Sequence, residues 1–122
     1  MKTNPRLGAD KAHWLARHWA QESPDGQWRI QGQPGHKVVS ANPPRLEEVM
    51  ALYSQLSMPV LSVEAEESNL DTWWKGLYTL SDYHARLRAI PQVEITCIGE
   101  AGHMLHHDQP EVLADIIERF IA

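Results

Sequence analysis

Two strand-like runs separated by a helix-like segment constrain this chain more than any other feature. Val60-Leu61-Ser62-Val63, opened by Pro59, and the β-branched Val93-Glu94-Ile95-Thr96-Cys97-Ile98 both read as strands. Between them a helix over residues 81–89, carrying Tyr83, Leu87 and Ile90 inward, ends at Pro91. Strand, helix, strand in one sheet means parallel strands and a right-handed crossover, so both carboxyl ends lie on the same edge. That edge is where open α/β sheets collect ligands and reacting groups. The reading is therefore α/β, with two parallel strands and flanking helices. Two parallel strands do not make a finished sheet, because such sheets are covered on both faces and need more strands. Residues 44–122 are expected to be part of a domain.

What leaves that edge carries the chemistry. After the first strand comes an acidic loop holding Glu64, Glu66, Glu67, Ser68, Asn69 and Asp71, and after the second comes Gly99-Glu100-Ala101-Gly102-His103-Met104. A carboxylate and an imidazole are thereby brought together although about thirty residues separate them. The last segment, with Val112, Leu113, Ile116, Ile117, Phe120 and Ile121 at helical spacing, is an amphipathic helix. Asp108-x-x-Glu111 reads as its capping box around Pro110, which accounts for Asp108 without a metal and leaves His103, His106 and His107 in a turn; no metal and no cofactor are expected. Cys97, the one cysteine, reads as a buried apolar thiol in a reducing compartment.

Upstream of Pro43-Pro44 the pattern is less regular. Asp10 is placed to cap a helix over residues 10–21 with Trp14, Leu15, His18 and Trp19 as its apolar stripe; Ser23-Pro24-Asp25-Gly26 is a turn and residues 27–30 an extended piece. Residues 45–56 form another amphipathic helix through Leu46, Val49, Met50, Tyr53 and Leu56. Trp14 and Trp19 are candidates for lining an apolar pocket, whereas Trp73 and Trp74 read as packing residues.

With 11 basic and 16 acidic residues among 122, and a net charge of -5, nucleic acid and anionic membranes are poor partners. No apolar run approaches the ~20 residues of a membrane span, and the polar first ten residues lack a signal-peptide core. A cytoplasmic location is expected.

The motif from Gly99 to Pro110, Gly-His-Met followed by His-His-Asp-Gln-Pro, resembles the loop that carries the catalytic histidine of α/β-hydrolases. Residues 59–66, Pro-Val-Leu-Ser-Val-Glu-Ala-Glu, resemble that family's penultimate strand, and residues 4–28 resemble later helices of its cap. The resemblance implies a partial α/β-hydrolase fold, with residues 1–43 part of a helical cap and residues 44–122 the C-terminal part of the core. It further implies serine acyl-enzyme chemistry on a small ester or related carbonyl compound, with His103 as base, Asp71 as the surviving candidate for the acid ahead of Glu67, and Trp14, Trp19 and Met104 near substrate. Two departures follow. No serine of the chain sits in Gly-x-Ser-x-Gly, so a truncated chain, inactive alone, is expected; the other readings are a non-catalytic binding or interaction module, or half of a split hydrolase that self-associates or takes a complementing N-terminal half. Ser68 and Asn69 occupy the expected acid slot.

Overall fold

A computed structural model describes residues 4–122, the side chains of Pro34 and Asp71 excepted. The chain forms two compact units, up to Pro43 and from Pro44 onward.

The first unit holds helix α1 (Ala9–Trp19), strands β1 (Ala20–Glu22) and β2 (Trp28–Ile30), and a single 3-10 turn at Pro34–Lys37. Asp10 does not cap α1. Gly8 is the N-cap, with no side-chain bond, and Asp10 lies in the first turn, where a carboxylate still favours the helix through its dipole. The helix also stops at Trp19, because Ala20 turns extended and pairs with Ile30 in an antiparallel hairpin. The extended piece at 27–30 is thus one arm of a two-stranded ribbon. Its turn is set by Gly26, whose φ of 76° favours a residue without Cβ, and by the Gly26 amide donating to the Ser23 carbonyl at 2.8 Å. No residue of α1 is buried.

The second unit runs α2 (Leu46–Tyr53), β3 (Val60–Ala65), α3 (Asp71–Trp74), α4 (Leu80–Leu87), β4 (Val93–Ile98), α5 (Leu105–Asp108) and α6 (Pro110–Ile121). β3 and β4 are parallel and in register from Val60 opposite Val93 to Ala65 opposite Ile98. The pleat places Leu61, Val63, Ala65 and Ile98 on one face. There Ile116 and Leu113 of α6 close over Ile98 and Ala101 to make the core cluster, with Leu105 at its side. The opposite face carries Glu64, which meets His84 of α4 at 2.6 Å, so the crossover helix and α6 cover different faces. Cys97 shares that second face but is exposed, contrary to the buried thiol expected from its place in the strand.

The core is small for the chain. Accessible surface totals 9872 Å², whereas even two separately folded domains of these sizes would expose only ~8,000 Å². Leu52, Met58, Leu77, Val112, Ile117 and Ile121 are all exposed. Among the described residues no helix is long and apolar enough to cross a membrane.

Local signals fix α4. Thr79 accepts from the Asp82 amide at 3.1 Å, and Asp82 accepts from the Thr79 amide at 2.9 Å and from its hydroxyl at 2.7 Å, a reciprocal capping box. The Thr79 hydroxyl, with its amide second, holds the Asp82 carboxyl below the usual carboxylate range. A folded pKa below the unfolded one gives stabilisation that is present above the ordinary carboxylate range and lost as pH falls through the folded value. Thr79→Ala is therefore expected to return the Asp82 titration, followed by carboxyl NMR, toward its ordinary value and to flatten the acid limb of α4 melting. An unmoved titration counts against the capping box.

Candidate functional site

Where β3 and β4 end, their ladder continues into the loops. The Glu66 amide donates to the Ile98 carbonyl and the Glu67 amide to the Ala101 carbonyl, each at 3.0 Å. The acidic loop and the histidine loop are thereby joined through backbone, as the shared edge of a parallel pair requires.

The histidine loop is held from three sides. Glu100 adopts a left-handed conformation with φ 52°, a strained state for a residue with a Cβ. Ala101 is 0% exposed, packed in the core cluster. The buried Gly102 amide donates to Asp108 Oδ2 at 2.9 Å. Asp108 is thus the clamp of the loop, a correction to the expected capping box: α6 starts at Pro110 with Gln109 as N-cap and no side-chain capping bond. The tertiary amide outcompeted the local one. Beyond this fixed segment His103 is exposed, and the Met104 carbonyl receives the amides of His107 at 2.7 Å and Asp108 at 3.2 Å, which starts α5.

On the acidic loop, Asn69 Oδ1 accepts the Thr72 amide at 3.3 Å, capping the short α3. Asn69 therefore has a local structural task. Asp71 opens α3, and its side chain lies outside the described residues. Two residues on, Trp73 brings its indole against His103, ring centroids 5.4 Å apart and planes 30° apart. Trp73 is 64% exposed, so it does not fill the core, contrary to the packing role expected for it. The sequence offered only the tandem Trp73-Trp74 as a signal, and the two indoles part company: Trp74 lies 6.0 Å from the Tyr83 ring. Trp14 and Trp19, 59% and 53% exposed, belong to α1 of the first unit. Met104, half-buried, directly follows His103 on the loop.

Chemically the arrangement presents an exposed imidazole on a rigid backbone beside a loop rich in carboxylates. An imidazole so placed suits proton transfer. It needs a nucleophile or substrate from elsewhere, since the chain has no serine on a glycine-flanked turn.

No family model and no curated protein matches the chain. It is similar to the crystal structure of E-2-(acetamidomethylene)succinate hydrolase, with TM-score 0.68 and 20% identity, over 98% of this chain and 41% of that one. The chain thus spans well under half the length of that hydrolase. Deleting the clamp is expected to loosen the shared segment: Asp108→Ala strands the buried Gly102 amide and should cost about 1–3 kcal/mol, read from urea unfolding, while Asp108→Asn, which keeps an acceptor, costs clearly less. Equal losses would show that the hydrogen bond is not what Asp108 contributes. With its parallel strand pair, flanking helices and histidine-bearing turn, the chain has the fold of the C-terminal part of an α/β-hydrolase.

Proposed function

We propose that this chain carries the histidine side of an α/β-hydrolase active site, with His103 as general base. The observation that carries the reading is the exposed His103 on a clamped turn at the carboxyl end of β4, hydrogen-bonded through its loop to the segment following β3. In an assembled hydrolase His103 takes the proton of a serine supplied by the remaining part of the fold, the serine attacks a carbonyl carbon, and water later resolves the acyl-enzyme with His103 again as base. A carboxylate of the acidic loop, Asp71 first and Glu67 next, orients the imidazole. The substrate class is a small, largely apolar ester or related carbonyl compound, with Met104, next to His103 on the loop, contributing apolar surface. The structural neighbour is by its name a hydrolase of E-2-(acetamidomethylene)succinate, which supports a hydrolytic reading. No metal or cofactor enters this chemistry.

Alone, the chain is inactive in this reading because it holds no activated serine. Purified protein is expected to give no serine-dependent turnover of p-nitrophenyl acetate or butyrate. It is also expected to self-associate or to bind a complementing N-terminal half through the unpaired edges of β3 or β4. Sedimentation showing a cooperatively unfolding monomer counts against the half-site reading.

The decisive experiment joins the chain to the N-terminal part of an α/β-hydrolase and looks for turnover. His103→Ala should then lower the rate by about 10²–10⁴-fold, with the circular dichroism spectrum retained. Asp71→Asn should lower it steeply, by ~10⁴-fold where the carboxylate sets the tautomer, and Asn69→Asp should raise it if the acid slot has decayed to an amide. Turnover that survives His103→Ala sinks the proposal and leaves a non-catalytic module as the better reading.

A further inference from the structure

Trp73 is an unusual place to find a tryptophan that only packs. It sits on the four-residue α3, it is 64% exposed, and its neighbour Trp74 supplies the contact to the helix α4 side through Tyr83. Its described ring contact is the imidazole of His103, with centroids 5.4 Å apart and planes inclined by 30°. That separation and tilt are within the range in which aromatic rings attract. The backbone on both sides is fixed. On one side α3 is capped by Asn69 and begins with the Trp73 and Trp74 amides donating to the Leu70 carbonyl at 2.9 and 2.8 Å; on the other, Gly102 is clamped by Asp108.

We propose that Trp73 is a positioning residue for His103: its indole, presented from the acidic loop, stacks on the imidazole and sets the plane in which the ring meets its proton-transfer partner. The proposal rests on the reading of His103 as the base and adds a second restraint to it. A carboxylate at a ring nitrogen fixes tautomer and one direction of approach, while leaving rotation about the line of that hydrogen bond. A stacked ring removes that rotation. The indole also covers one face of the imidazole, so that reagents and substrate reach His103 by its edge or its other face. In an orientation-sensitive proton transfer, small misplacements cost much more rate than binding.

The test begins with this chain as it stands, where no turnover is needed. In ¹H–¹³C spectra the His103 ring signals, assigned by their loss in His103→Gln, should lie upfield of exposed-histidine values through the indole ring current. Trp73→Leu should return them to those values and speed carbethoxylation of His103 by diethylpyrocarbonate several-fold, while Trp73→Phe keeps most of the shift and protection. The Thr72 amide, bonded to Asn69, reports that α3 is still formed in each variant. Ring signals and reactivity that are the same in Trp73→Leu as in the parent overturn the proposal, as does a Trp73→Phe variant with intact α3 and fully exposed-histidine signals. In the assembled hydrolase Trp73→Leu should lower kcat about tenfold with KM within twofold, and Trp73→Phe should recover most of it. Undiminished kcat in Trp73→Leu, together with loss of turnover in His103→Ala, overturns the positioning role and leaves the base assignment standing. Turnover that survives His103→Ala removes the base assignment, and the positioning role falls with it.

Discussion

The in-register pairing of β3 with β4 is the constraint on which the rest of the second unit depends. Parallel strands share a polarity, so chain leaving either one at its carboxyl end emerges on one edge. Here the ladder does not stop with the strands. It runs on through the Glu66 and Glu67 amides into the Ile98 and Ala101 carbonyls, and so fixes the acidic loop against the histidine loop before any side chain is considered. The side-chain contacts of the site, from the Asp108 clamp to the Trp73 stack, are adjustments made on that frame.

The same frame explains why so little of the unit is buried. A central parallel pair has hydrogen-bonding groups along both outer edges and two faces to cover. Within this chain α6 covers part of one face, through Ile116 and Leu113, and α4 part of the other, through Leu87 and the His84–Glu64 contact. What remains uncovered includes Cys97 on β4 and the apolar Ile117 and Ile121 on α6. The whole chain overlays 41% of a hydrolase chain, and its two-stranded parallel sheet leaves both outer edges and much apolar helix surface uncovered within the described residues.

Much of this was legible in the sequence because it depends on local periodicity. The β4 boundaries and the existence of the four longer helices α1, α2, α4 and α6 follow from side-chain spacing at 2.0 and 3.6 residues, and the parallel order from the helix that joins the strands. What periodicity did not reach was decided by contacts distant in sequence. β3 extends two residues beyond the expected run because Ala65 pairs with Ile98 and Glu64 finds His84, neither visible from neighbours in the chain. Of the hairpin, the Ser-Pro-Asp-Gly turn and the extended arm at Trp28–Ile30 were legible, whereas the three-residue arm at Ala20–Glu22 escaped because it carries no pattern and continues the helical run before it. Asp108 matched a capping box in sequence yet went to the Gly102 amide, since a buried amide without an acceptor costs more than an exposed helix end. Trp73 escaped for a related reason. On a single turn of helix there is no face to read, and which ring an indole meets is settled by the loop opposite.

The histidine loop concentrates its rigidity upstream of His103. Glu100 is held in a left-handed conformation, Ala101 is packed into the core and Gly102 is bonded to Asp108, so three consecutive residues leave the backbone almost no freedom where His103 begins. None of those restraints acts on the imidazole itself. A side chain with two free torsions on a fixed backbone sweeps a cone of positions, and ordering it costs conformational entropy unless something beyond the backbone selects one. In this chain the selecting group comes from the other strand's loop, where Asn69 has been taken up in capping α3 and thereby presents Trp73. Asn69 is in this sense not idle. It builds the short helix whose indole the imidazole meets.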